Sequence, residues 1–412
     1  MTRVIIYSGK GGTGKTTISA ATATLLAESG RRTLVISSDP AHSLADAIGM
    51  PISRERVTPI MPRLYGLEID TIFEWRRNLS GFQQFIANTY SNRGVDRSTA
   101  AELANQPGLD EILALQRVMD EAQSGRWDAI VLDTAPTGNT LRLLAYPELI
   151  IGGDAGKKFF RVYRGLANVA RPFRRDLPDD RFFDEVGELL SRMERLANFL
   201  LSSDISIRLV LNPEKLPLLE TRRAYTFLNL YGLMLDAVMV NKILPQRADL
   251  GPYFDYWVQL QQGYLKEINE SFAPTPIFHT VLQEGEPIGT TMLSAIGKAT
   301  FGTCDAGALL YDDRPIWLEQ WNQDNEPGLY DLCLRLPFVE DEAVTIDRNG
   351  PDIVLAIGRV QRTIALPRIL YDCSLDGHRY EDGVLRLAFR EQPLDQADLA
   401  KPSSDTMHVE AA

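Results

Sequence analysis

Short apolar runs, separated by turns and helix-forming stretches, dominate the first three hundred residues. Residues 4–7, 33–37, 129–132, 207–211 and 237–240 are largely apolar without alternation, the pattern of strands buried on both faces of a parallel sheet. Each is followed by a polar or Gly/Pro turn and then a helical pattern, such as the Ala- and Leu-rich 18–27. This succession predicts a doubly wound, mostly parallel α/β sheet over residues 1–302, with its ligand at the carboxyl ends of the strands. Within it, about 71–125 and 146–203 carry a helical period and no strand, and are expected to form a helical subdomain beside the sheet. Residues 303–328 are polar and punctuated by proline, which suggests a linker. Trp317 and Trp321 in that stretch stand four apart and are expected to share a helical face and anchor a core. From Leu329 the period becomes two: Tyr330, Leu332, Leu334 and Leu336 alternate with Asp331, Cys333 and Arg335. Further strands at 344–346, 353–357 and 384–389 are separated by Asn349-Gly350, Asp376-Gly377 and Asp382-Gly383 turns. A small all-β sandwich over 329–390 follows, with an apolar-poor tail over 391–412 expected to be disordered.

Composition narrows the class. A chain of 412 residues, 44% hydrophobic and 24% charged, supports two or three domains with a sizeable core. Its net charge of −12 argues against a nucleic-acid binder. The three cysteines, Cys304, Cys333 and Cys373, are far apart, there are only four histidines, and no pair has zinc spacing, so no zinc is expected. Sparse cysteine, a first strand that starts almost at Met1, and no run of eighteen apolar residues together give the expectation of a cytoplasmic protein.

The chemistry concentrates in Gly9-Lys10-Gly11-Gly12-Thr13-Gly14-Lys15-Thr16-Thr17, between the first strand and the first helix. Gly, four residues, then Gly-Lys-Thr is the phosphate-binding loop of a P-loop NTPase. Its backbone N–H groups, from Gly11 through Thr17, and the positive end of the helix would cradle the phosphates of ATP. Lys15 would neutralise the β- and γ-phosphates, and the Thr16 hydroxyl would sit on Mg²⁺. Lys10 is surplus to a single-subunit phosphate site. Asp39, in Asp39-Pro40-Ala41-His42-Ser43 after the second strand, can orient a water or coordinate metal. Asp133, at the end of the apolar run 129–132, fits a carboxylate that holds Mg²⁺ through water.

These runs, together with 107–111 and 133–142, resemble the arsenical-pump ATPases and the ATPases that target tail-anchored membrane proteins, from residue 1 to about 300. The resemblance implies a homodimeric, Mg²⁺-dependent ATPase that binds and releases a protein client. Lys10 would then be the lysine that reaches the partner's nucleotide, Asp39 would position the attacking water, and Asp133 would open the second switch. Asn241 would read adenine, beside a loop at 284–289 that includes Glu286 and Pro287. The chain departs from the family in having no cysteine before Cys304, in carrying Asn139 where the family has histidine, and in the single Met193 between 146 and 203. Leu366-Pro367 and 382–387 are similar to the α-crystallin-like domain of small heat-shock proteins. Two other readings stay open: a chaperone-like adaptor with slow ATP turnover, and a positioning ATPase of the partitioning type. One stretch, 157–175, sets Lys157, Arg161, Arg164, Arg171 and Arg175 at helical spacing. It is either a contact for an anionic membrane surface or acidic partner, or a plain surface helix.

Overall fold

The structure is a computed structural model, and it describes residues 2–39, 43–70, 73–74, 109–134, 162, 164–166, 180–247, 251–321, 328–339, 344–358 and 360–391. The chain divides into two compact units, Met1–Pro315 and Ile316–Ala412.

The first unit is built on strands β1 (Arg3–Gly9), β2 (Thr33–Ser37), β3 (Thr58–Met61), β4 (Leu64–Glu68), β5 (Ala129–Asp133), β6 (Ile205–Leu211), β7 (Leu235–Ile243) and β8 (Ile277–Val281). They form one sheet in the order β3-β4-β2-β5-β1-β6-β7-β8. Every neighbouring pair is parallel except β3 with β4. The helices are α1 (Lys15–Glu28), α2 (Ser43–Ile48), α3 (Leu109–Gln123), α4 (Asp180–Leu200), α5 (Lys215–Leu230), α6 (Pro252–Phe272) and α7 (Thr290–Phe301). β1, β2, β5 and β6 run through the middle, and almost every residue in them is buried. That two-sided burial is why they read as continuous apolar runs. The doubly wound α/β expectation is met. Of the expected helical subdomain, α3 and α4 are described; the rest of 71–125 and 146–203 lies largely outside the described residues. No described helix is long and apolar enough to cross a membrane.

One charged side chain sits in the middle of the core. Arg208 on β6 is wholly buried, with Nε 3.0 Å from Asp236 Oδ1. It also donates to the Tyr7 hydroxyl at 3.2 Å and to the Ala306 carbonyl at 2.8 Å. Arg3 pairs with the same aspartate at 3.0 Å. A buried ion pair is tolerated only when its remaining donors are satisfied, and here the chain just after α7 supplies acceptors.

The second unit has two antiparallel sheets. One has the order β14 (Cys373–Glu381), β15 (Val384–Glu391), β10 (Leu329–Arg335), β9 (Ile316–Trp321); the other runs β11 (Val344–Asn349), β12 (Asp352–Ile357), β13 (Val360–Ala365). This all-β unit agrees with the expected sandwich, with two corrections. Trp317 and Trp321 lie on a strand, not a helix: β9 occupies part of the expected linker and pairs with β10. Residues four apart share one face of a strand as well as of a helix, so their spacing cannot distinguish the two. Asp331 and Cys333, which alternate with the apolar positions of β10 and would face outward by a simple period of two, are both buried. Trp321 Nε1 lies 3.1 Å and Arg379 2.5 Å from Asp331 Oδ2, and Arg386 covers Cys333 at 3.2 Å. Residues 392–412 fall outside the described set, so the expected tail does too.

Candidate nucleotide site

β1 runs into Gly9, and its backbone passes so close to β6 that a Cβ there would stand 2.2 Å from the Val210 carbonyl oxygen. Gly14 precedes α1 in a left-handed conformation, φ 88°, and a Cβ there would meet Asn241 Nδ2 at 2.2 Å. These two glycines therefore let the turn lie flat against the sheet edge. Inside the turn, Thr13 Oγ1 donates to the Lys10 carbonyl at 2.9 Å. Lys15 is buried, and its Nζ donates to the same carbonyl at 3.3 Å. Burial lowers the Lys15 pKa, while the charges of Asp133 and Asp39 pull it back up. The two carboxylates singled out in the sequence are thus within electrostatic reach of that one ammonium.

Thr16 donates from Oγ1 to Asp133 Oδ2 at 2.6 Å. Ser43 Oγ, at the start of α2, lies 2.9 Å from the Thr16 hydroxyl. Asp133 has no solvent exposure, and burial pushes its pKa up to about 7 against the Thr16 hydrogen bond and the Lys15 charge. Its Oδ1 is buried without a hydrogen-bond partner. An orphaned carboxylate oxygen beside two hydroxyls is a hard-oxygen donor set, which suits Mg²⁺. Thr16 and Asp133 are the residues that would hold it, with Ser43 alongside.

Lys10 behaves differently from Lys15. Its Nζ turns out to Glu220 Oε1 on α5, 3.0 Å away, and both side chains are about one-third or more exposed. Asp39 follows β2 with its backbone N–H 3.3 Å from Ser37 Oγ; Pro40, Ala41 and His42 lie outside the described residues. So do 135–142, which include Asn139, and Pro107-Gly108.

Asn241 braces the loop from behind. Its Nδ2 donates to the Thr13 carbonyl at 2.9 Å, and its Oδ1 accepts from the Lys242 N–H at 2.8 Å. Lys242 adopts φ 58°, and its Nζ donates to the Gly12 carbonyl at 2.8 Å. The loop at 284–289 is tied elsewhere: Gly289 N–H donates to the Ala47 carbonyl of α2 at 2.9 Å, and Glu284 pairs with Arg247. Glu286 is exposed and Pro287 half-buried. The structure thus joins Gly11–Thr17, Asp133 and Ser43 into one site. It sets Asn241 against the loop backbone and leaves 284–289 against α2.

Sequence reasoning missed Ser43, Lys242, Glu220 and Glu68. Glu68, buried at the end of β4, accepts the Ala45 N–H at 2.9 Å and so secures α2. An acidic residue that ends a strand, as Asp133 does, was the available signal for Glu68. For Ser43 it was its place in the Asp39 run. Of the basic stretch 157–175, only 162 and 164–166 are described. Val162 and Leu166 are exposed there, and Arg164 pairs with Asp184 at 2.9 Å.

Comparison with known sequences agrees with this geometry. Residues 2–301 match the anion-transporting ATPase family, and residues 327–389 match an HSP20-like domain found in ArsA. A protein of Prosthecochloris vibrioformis that carries the name arsenical pump-driving ATPase is 33% identical over 400 residues, covering 95% of this chain and 96% of its own. One of Aquifex aeolicus with the same name, numbered 1, is 33% identical over 382 residues, 89% of this chain and 95% of its own. An ATPase ASNA1 homolog of Paramecium tetraurelia is 30% identical over 298 residues, 69% of this chain and 88% of its own.

Proposed function

The chain belongs to the anion-transporting ATPase family and is an ATP hydrolase; from that premise we propose that it works as a homodimeric, Mg²⁺-dependent switch that binds a protein client in one nucleotide state and releases it in the other. One observation carries the reading: the two lysines of one phosphate loop point to different places. Lys15 is buried toward its own pocket, whereas Lys10 faces outward to Glu220. A second cation in the same loop is repelled by the first unless strong negative charge lies nearby. Glu220 supplies that charge in the single subunit; in the dimer the nucleotide phosphates presented by the facing subunit would take its place.

Within one site the backbone N–H groups of the loop bind the phosphates, and Lys15 neutralises charge that grows on them in the transition state. Thr16 and Asp133 would hold Mg²⁺, which when bound would help neutralise the phosphate charge. Asp39 orients the attacking water. The relatives named for an arsenical pump raise an oxyanion role, but no cysteine precedes Cys304, so this reading includes no thiolate site.

The test is complementation in trans. Lys10→Ala and Asp39→Asn proteins, each with little turnover, are mixed and re-equilibrated. Mixed dimers hold one competent site if Lys10 serves the partner, so turnover of the mixture should rise above both parents. A fully active Lys10→Ala protein that stays monomeric by light scattering in ATP would refute the switch.

A further inference from the structure

The second unit carries chemistry that the nucleotide site does not use. In the β14-β15-β10-β9 sheet, strand register sets side chains in rows across one face. One row runs Trp321, Leu329, Arg390 and Ser374; the next runs Glu319, Asp331, Ala388 and Gly377; the third runs Trp317, Cys333, Arg386 and Arg379. The middle row is short at Ala388 and Gly377, between long side chains on both sides. A hollow of about 370 Å³ opens over Ala388, walled by Trp321, Leu329, Asp331, Arg379 and Arg390. That volume is in the range of small-ligand sites. The register shifts between Leu375 and Gly377, and a Cβ on Gly377 would meet nothing within 4 Å. A bulge with a glycine beside a hollow is a common way to open a strand to a ligand.

Asp331, 3% exposed, has one oxygen in use. Trp321 Nε1 at 3.1 Å and Arg379 Nη2 at 2.5 Å both donate to Oδ2. Its Oδ1 accepts no hydrogen bond among the described residues. Arg379 is used in the same one-sided way. Its Nη2 goes to Asp331, its Nε stands 3.8 Å from Glu381, and its Nη1 donates to nothing among the described residues. One ion pair therefore offers both an open acceptor and an open donor. A second pair, Arg390 Nε with Asp376 Oδ2 at 2.7 Å, also borders the hollow. The Trp321 ring at the rim is half exposed.

We propose that this hollow binds a free α-amino acid with an aromatic side chain. Charge decides the class. Each of the two aspartates is matched by an arginine, so a ligand with a single charge of either sign is repelled by one member of each pair as it is attracted by the other. A zwitterion has both charges. Its ammonium donates to Asp331 Oδ1, and its carboxylate accepts from Arg379 Nη1. One carbon separates the two groups, so together they can meet the two members of one ion pair through charge-assisted hydrogen bonds. The ring then lies over Ala388 and packs on Leu329 and Trp321, where an aromatic pair gains beyond its buried area. The site lies wholly within the second unit and is independent of the dimeric reading above.

Isothermal titration calorimetry of the full chain tests this with L-phenylalanine as probe. Phenethylamine and hydrocinnamate are its counterparts with only the positive or only the negative charge. L-phenylalanine is expected to bind at one site per chain, and each counterpart at least tenfold more weakly. Ala388→Leu fills the hollow from its floor and should weaken binding at least tenfold, with thermal melt and ATP turnover unchanged. Hydrogen exchange of wild type needs no variant: the probe should slow exchange in 328–331 and 386–390. Absence of both heat and protection overturns the proposal. Either counterpart binding as tightly as L-phenylalanine overturns the zwitterion. Equal binding by folded Ala388→Leu, or protection confined to residues 1–315, puts the probe elsewhere and overturns this site.

Discussion

Replacing Asp133 with asparagine should remove a pH dependence from the stability of the nucleotide-free protein. The carboxyl is fully buried, and burial lifts its pKa from the usual 3.8 to about 7. In the unfolded chain it ionises near the usual value. Between those two values the folded state therefore holds a proton that the unfolded state has lost. Stability falls with rising pH wherever the unfolded state binds fewer protons. The group's favourable contribution is complete below about pH 4 and is lost progressively as pH rises to about 7. At 1.36 kcal/mol per pKa unit, the loss between pH 4.5 and pH 8 is about 3 kcal/mol. The amide introduced by Asp133→Asn does not titrate. It resembles the protonated acid in shape, although one amide donor replaces an oxygen that has no partner, at a cost of about 1–3 kcal/mol. Urea unfolding of wild type and Asp133→Asn, followed by circular dichroism from pH 4.5 to 8, should therefore give curves whose difference changes by about 3 kcal/mol toward the variant as pH rises. Other titrating groups are common to both proteins and cancel. Parallel curves would refute the buried, proton-holding Asp133.

Lys15→Ala should reduce ATP turnover by about 10²-fold or more, because it removes the buried charge that faces the phosphates; a steady-state phosphate-release assay decides, and unchanged turnover would remove the nucleotide site from this loop. Asp39→Asn should keep ATP affinity within a few-fold and lose most turnover, since a group that orients water acts in the transition state; equal losses of both in titration and turnover assays would make it a structural or metal-binding residue. Arg208→Met should destabilise the first unit by about 3–5 kcal/mol, because it leaves a buried carboxylate short of a partner and strips donors from the Ala306 and Ala308 carbonyls. Urea midpoints measure it, and a loss below about 1 kcal/mol would show that Arg3 alone satisfies Asp236.

What could be read from the sequence was whatever depends on neighbours along the chain. The strands were visible because two-sided burial leaves no polar position between Thr33 and Ser37 in β2, and none in β5 before Asp133 at its end. The phosphate loop was visible because cradling phosphate needs glycine at fixed spacing. What could not be read depends on register between strands. Arg208 looks like a blemish in an apolar run until the adjacent β7 brings Asp236 beside it. Asp331 and Cys333 alternate correctly for a surface face, and only β9 beside β10, and β14 one strand further beyond β15, put Trp321 and Arg379 over Asp331. Lys242 carries no sequence mark of its left-handed backbone, and it was Asn241 that drew attention while its neighbour held Gly12. Glu220 lies some two hundred residues from Lys10, and no local pattern connects them.

α2 shows how these ties combine. It is only six residues long, about 9 Å at 1.5 Å per residue, yet it is bound at three points. Ser43 meets the Thr16 hydroxyl, Ala45 donates to Glu68, and Ala47 accepts from Gly289. Its end is closed by Gly49 at φ 77°, where a Cβ would press on Ile288 at 3.3 Å. One short rigid piece therefore spans the proposed cation position and the loop at 284–289. Neutral hydrogen bonds contribute about 0.5–1.5 kcal/mol net and one to a charged group about 1.5–3, so the three ties together hold α2 by roughly 3–6 kcal/mol. Moving a two-state element from almost wholly one state to almost wholly the other takes about 5.5 kcal/mol of differential binding. The attachments are thus strong enough to define one position for α2, and their sum is of the same size as the differential binding that would be needed to shift it.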